Sequence, residues 1–207
     1  MGELTLPVPI MMIKDQPTFN HLSENILMRL GYPAELMIHT DNLIEAEQLL
    51  QQHLPNLILI DLYLNQSEKT SFIRRIKKIH PDAYIIVVLA QHETSLLFAA
   101  IQAGVQGYIF YEHTEAKIFS HIKTILRGGA PIHYALAQYI LSHQLGINKT
   151  QTTTERNQPI HLTAIENDIL TLISEGLSPQ QIAQQLTVPL YKIEGHIKNI
   201  YQKITCL

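Results

Sequence analysis

The stretch 162–204, LTAIENDILTLISEGLSPQQIAQQLTVPLYKIEGHIKNIYQKI, constrains the fold of this chain more than any other. Thr163 stands three residues before Glu166, and Ser178 three before Gln181, so two capping boxes open two short helices. In the first, Ile165, Ile169, Leu172 and Ile173 recur at helical spacing, and Gly176 follows where a left-handed C-terminal cap is needed. In the second, Pro179 suits the first helical position, and Ile182, Ala183 and Leu186 form the stripe to be buried. A longer third helix would bury Ile193, Ile197, Ile200, Tyr201 and Ile204. Two short helices turning tightly into a longer one is the helix-turn-helix plan, whose second motif helix enters the DNA major groove.

The first 130 residues follow a different pattern. Short apolar runs at 8–13, 35–39, 57–61, 84–90 and 107–111 alternate with amphipathic stretches at 19–30, 43–53, 71–80, 95–103 and 115–127. Strands that are apolar throughout and separated by helices indicate a parallel sheet covered on both faces. Five such units predict a five-stranded, doubly wound parallel α/β domain, followed by the small all-α helix-turn-helix domain. In doubly wound sheets functional groups gather beyond the carboxyl ends of the strands, near the point where strand order reverses. Asp15 and Asp61 fall at two such ends.

A length of 207 residues suggests two domains, and 46% hydrophobic content allows a substantial core. The net charge of −3 gives no strong basic field to advertise nucleic acid. A single cysteine, Cys206, excludes an internal disulfide framework and fits a reducing compartment. There is no signal-peptide pattern at the start, nor an apolar run long enough to span a bilayer, so a cytoplasmic protein with no membrane contact is expected. No phosphate-binding glycine loop, nucleophile elbow or acid pair is present, so neither an enzyme nor a cofactor is expected. The eleven histidines lack ligand spacing and imply no metal. His113 and His121 are expected to share a solvated helix face.

The C-terminal motifs, in the order LT-x-x-E, ILTLISEGLS, IAQQL and I-x-x-H-I-x-x-IYQKI, resemble the DNA-binding domain of LuxR/NarL-type, FixJ-like response regulators. Residues 8–128 resemble the receiver domain of the same family, most closely at PNLILIDLYL and AGVQGYIF. The implied organisation is a receiver-like domain over 1–130, a linker helix and polar tether over 131–161, and a helix-turn-helix domain over 162–207. By the resemblance Asp61 aligns with the phosphoryl acceptor, Asp15 with a magnesium-binding acid, and Tyr108 with the switch aromatic.

The departures from the family pattern carry as much information as the matches. Lys14 stands where the first acid belongs, Ala90 where a hydroxyl belongs, and Tyr111 where a lysine belongs, while Leu64-Asn65 replaces the usual Met-Pro. Phosphoryl transfer to a carboxylate depends on metal and positioned charge. Asp61 is therefore expected to be an inactive acceptor in a degenerate pocket formed with Lys14, Asp15, Ala90, Tyr108 and Tyr111. Lys14 is expected to sit beside Asp15 and Asp61 as a resident cation.

The resemblance further implies double-stranded DNA as partner, read in the major groove by Lys192, Lys198, Asn199 and Lys203. Here the recognition triplet is Lys192-Ile193-Glu194, followed by Gly195. Pro189 replaces the usual serine cap, and Gln180 replaces a basic residue of the second helix. The family's fourth helix has no counterpart before Leu207, which is expected to leave apolar surface around Ile200 and Ile204 uncovered unless the linker helix or a partner covers it. The reading is a DNA-binding transcription regulator, independent of phosphorylation, whose receiver-like domain forms a homodimer or heterodimer. The alternative is a protein-interaction module that has lost DNA binding and sequesters a related regulator.

Overall fold

The five apolar runs become five parallel strands: β1 (Ile10–Ile13), β2 (Met37–Thr40), β3 (Leu57–Asp61), β4 (Tyr84–Leu89) and β5 (Gly107–Phe110), in the order β2-β1-β3-β4-β5. Their connections are α1 (Asn20–Arg29), α2 (Leu43–His53), α3 (Gln66–Ile79) and α4 (Thr94–Gln102), with α5 (Glu115–Leu126) after the last strand. The computed structural model describes residues 8–14, 20–62, 66–144 and 160–205. It divides into two compact units, Met1–Gly128 and Gly129–Leu207.

Successive side chains on a strand point to opposite faces. Ile10, Met12, Leu57, Leu59, Ile86, Val88 and Ile109 meet Ile26 and Leu27 of α1 and Ile118, Ile122 and Ile125 of α5. The alternate positions Met11, Ile58, Ile60, Ile85 and Val87 are equally buried on the other face, which is why the runs are apolar throughout. Close approach of α5 depends on Gly107. A Cβ there would lie 2.2 Å from Ile125 Cδ1 and 2.6 Å from its Cγ1. Gly107→Ala is therefore expected to lower stability by about 1–3 kcal/mol, the usual cost of overpacking; urea denaturation checks it.

Two boundaries differ from expectation. Residues Ala34–Leu36 form a 3-10 turn after the extended Pro33, so β2 begins only at Met37. Helix α3 begins at Gln66, five residues earlier than its apolar periodicity predicts, and carries Lys69 on its buried face with Phe72, Ile73 and Ile76.

The second unit contains α6 (Tyr134–Gln144), α7 (Ala164–Ser174), α8 (Pro179–Gln185) and α9 (Leu190–Thr205). Both capping boxes form. The Thr163 N–H donates to Glu166 Oε2 at 2.7 Å, and the Ser178 N–H to Gln181 Oε1 at 2.9 Å, each reciprocated by the cap hydroxyl. Gly176 closes α7 at φ +92°. On α7 the buried residues are Glu166, Ile169, Leu170 and Ile173, so Leu170 rather than Leu172 faces inward. Of the stripe expected on α8 only Ile182 is fully buried.

Helix α6, expected as a linker, packs against α7. It buries Leu136, Ala137 and Ile140, and Gln138 Nε2 donates to the Ser174 carbonyl at 3.1 Å. Ile200 and Ile204 are both fully buried, so the apolar face of α9 is covered within the chain. The polar tether 148–159 lies outside the described residues.

Candidate functional site

Strand order reverses between β1 and β3, and both strands deliver residues to a shallow hollow at their carboxyl ends. Met12, Ile13, Lys14, Leu59, Asp61 and Val88 line it. Asp61 is only 2% exposed, and the Tyr111 hydroxyl donates to its Oδ1. Tyr111 follows β5, whose chain continues in register through Tyr111 N–H to the Leu89 carbonyl at 3.1 Å. The buried Lys69, 3% exposed, reaches from α3 and donates from Nζ to the Asp61 carbonyl at 2.5 Å.

Lys14 corrects one expectation. Its ammonium donates to His39 Nδ1 at 3.0 Å and lies 3.8 Å from Glu24 Oε1, so it pairs with β2 and α1 rather than with Asp61. Burial lowers the Lys14 pKa, against the raising effect of Glu24. Burial, then the Lys14 charge, lowers that of His39, again opposed by Glu24. An unprotonated Nδ1 suits the bond His39 accepts. Asp15, Leu64 and Asn65 lie outside the described residues.

Ala90 follows β4 with its N–H donated to Glu93 Oε2 at 3.2 Å, and the Gln91 N–H reaches Glu112 across the neighbouring loop at 3.2 Å. A hydroxyl does bond Asp61, that of Tyr111 after β5, two strands from β3. Tyr108 is fully buried, its ring centroid 5.1 Å from that of Phe110. The expected solvated pair of histidines is also corrected. His113 is 9% exposed in the loop before α5, and its ring meets that of His121 edge-on at 4.9 Å.

The second cluster lies on α9. Ile193, Ile197, Ile200, Tyr201 and Ile204 face the core, so helical geometry turns Tyr191, Lys192, Glu194, Gly195, Lys198 and Asn199 outward. Lys203 departs from the DNA-reading set: its Nζ binds Glu166 Oε2 at 2.6 Å, and the Glu166 side chain is 4% exposed. Burial pushes the Glu166 carboxyl up, but hydrogen bonds from Lys203 and Thr163 and the Lys203 charge together bring it below its ordinary value. That ion pair ties α9 to the cap of α7. The outward cations of α9 are Lys192 and Lys198, with Glu194 between them.

Sequence reasoning missed Lys69, Glu24 and His39. The signal for Lys69 was its spacing of three and four from Phe72 and Ile73, visible only once the helix is extended to Gln66. Nothing in the linear order tied Lys14 to Glu24 and His39.

Residues 10–123 match the family model of the response regulator receiver domain, and residues 161–206 that of the bacterial regulatory proteins of the luxR family. The chain belongs to the luxR-family response regulators. Among curated proteins this response regulator is 27% identical to the oxygen regulatory protein NreC of Staphylococcus carnosus, over 78% of its own length and 75% of that protein. It is 24% identical to the fimbriae Z protein of Escherichia coli, over 96% of its length and 90% of that protein. A solved structure of the Salmonella typhimurium RcsB response regulator shares the fold, with a TM-score of 0.57 at 15% identity over 95% of this chain and 91% of that one. The response regulator accordingly carries a receiver domain and a DNA-binding helix-turn-helix, the parts of a two-component transcription regulator. Among its described residues no helix is long and apolar enough to cross a membrane.

Proposed function

We propose that this response regulator binds double-stranded DNA through α9 in the major groove, and that its receiver serves as a fixed interaction module without phosphorylation. The observation that carries the first half is the outward face of α9, where Lys192, Lys198 and Asn199 project from a helix whose opposite face is fully packed. Lysine meets phosphates or guanine edges, and asparagine pairs with adenine. The second half is supported by the Tyr111 hydroxyl on Asp61, the methyl at Ala90, and Lys14 lining the same hollow as Asp61. Its place of action is the cytoplasm.

The protein-interaction reading has support of its own. Two outward cations flanking Glu194 make a weak electrostatic footprint, because phosphate contacts supply most nonspecific affinity.

Selection of bound fragments from genomic DNA by the purified full chain, followed by salt titration, separates the two. With Lys203 committed to Glu166, about two phosphates are neutralised per protomer, so log affinity against log salt should fall with a slope near −2 per protomer. Lys198→Ala should reduce the slope by about one. Glu194→Lys should strengthen binding at low salt. Failure of both wild type and Glu194→Lys to retain any DNA at low ionic strength would favour the sequestering module.

A further inference from the structure

Tyr111 and Glu112 are consecutive residues, yet they grip different parts of the receiver. They are the central residues of a turn after β5, closed by the His113 N–H on the Phe110 carbonyl at 3.0 Å. The same turn is pinned to β4, because the Tyr111 N–H donates to the Leu89 carbonyl at 3.1 Å. On one side the Tyr111 hydroxyl donates to Asp61 Oδ1, two strands away, so the phenol spans the end of β4. On the other side the Glu112 carboxylate accepts the Gln91 N–H with both oxygens, Oε1 at 3.3 Å and Oε2 at 3.2 Å.

Gln91 belongs to the loop 90–93, which joins β4 to α4 and is closed on itself. Glu93 donates its N–H to the Ala90 carbonyl at 3.1 Å and takes the Ala90 N–H on Oε2 at 3.2 Å. Its own carbonyl accepts the Leu97 N–H at 3.0 Å, in the first turn of α4. A contact that holds Gln91 therefore also holds the start of α4. Glu112 is exposed, so water competes for its carboxylate. That competition is offset by the turn, which is anchored already to Asp61 and Leu89 and loses little freedom when Glu112 meets Gln91. We propose that Tyr111 and Glu112 form a permanent clasp joining Asp61 to the loop after β4, so that the start of α4 is set by this chain's own side chains. The inference rests on the reading of a receiver that works without phosphorylation, and names what holds it in one state.

Hydrogen exchange of the full chain, resolved at the Gln91 amide with the β4 amides as internal reference, tests the clasp. In wild type Gln91 should exchange at least about tenfold more slowly than an open loop amide. Glu112→Ala should remove that protection and leave β4 unchanged. Glu112→Gln, which keeps an oxygen acceptor without the charge, should give an intermediate rate. Tyr111→Phe unties the turn from Asp61 and should speed exchange at Gln91 by about threefold, whereas the double variant should match Glu112→Ala, because coupled contacts are not additive. Unchanged exchange at Gln91 in Glu112→Ala overturns the clasp, and so does wild-type exchange at Gln91 in Tyr111→Phe. Acetyl phosphate and magnesium, added to wild type, separate the clasp from the reading beneath it. A phosphoryl gain at Asp61 with Gln91 still protected overturns phosphorylation independence and leaves the clasp standing. A gain that abolishes the protection overturns both.

Discussion

Lys203→Met is expected to destabilise the helical unit by about 2 kcal/mol. Removing one partner of a buried ion pair typically costs about 3–5 kcal/mol. The Lys203 side chain is 36% exposed, so solvent screening reduces that figure, whereas the Glu166 side chain at 4% exposure cannot find water in its place. The effect should depend on pH in a way that packing loss would not. In wild type the Glu166 carboxyl lies below its ordinary value, where the Lys203 and Thr163 interactions outweigh burial. A group with a depressed native pKa contributes stability that is present above the unfolded value and lost as pH falls through the native one. Without Lys203 burial dominates and the carboxyl rises, so acid should relieve the variant in the range where it weakens wild type. Native-state hydrogen exchange of α7 and α9 amides in the full chain, between about pH 7 and 3, reports both. Unchanged protection in Lys203→Met would return this lysine to the DNA-reading set.

Acetyl phosphate with magnesium is expected to leave Asp61 unmodified, with no added phosphoryl mass. Attack on a phosphoryl group needs a carboxylate oxygen presented in line, and cations to neutralise the developing charge. Here Oδ1 accepts the Tyr111 hydroxyl inside a carboxylate 2% exposed, and position 90 supplies a methyl. Of the nearby cations, Lys14 is engaged with Glu24 and His39, and Lys69 donates to the Asp61 main-chain carbonyl. Tyr111→Phe removes a charge-assisted hydrogen bond and should lower receiver stability by about 1.5–3 kcal/mol. Intact-mass analysis decides the first point and urea denaturation the second. A magnesium-dependent gain of one phosphoryl group that vanishes in Asp61→Asn would make this a phosphorylation-switched receiver.

The two clusters were legible in the sequence to different degrees. Asp61 was visible as the last residue of a run that can only be a buried strand, and the outward face of α9 followed from five apolar residues at helical spacing. The pairing of each charged group was not visible. Lys203 and Glu166 are 37 residues apart, and Tyr111 and Asp61 are 50 apart. Lys14 meets His39 and Glu24 only because β1 lies beside β2 and α1 returns over the sheet.

Local sequence by itself determined the elements. Capping boxes at Thr163 and Ser178 and the left-handed cap at Gly176 act over a few residues through local backbone hydrogen bonds, and the five apolar runs mark their strands by composition and length, although the strands' hydrogen bonds come from distant segments. Tertiary structure alone decided which charges remain available for function. Lys203 is drawn out of the recognition face by a buried carboxylate, Lys69 is taken inward by an earlier helix start, and α6 joins the helical unit by burying Leu136, Ala137 and Ile140. A charge is placed by the field and solvent around it, and these depend on chain segments distant in sequence and brought together only by folding.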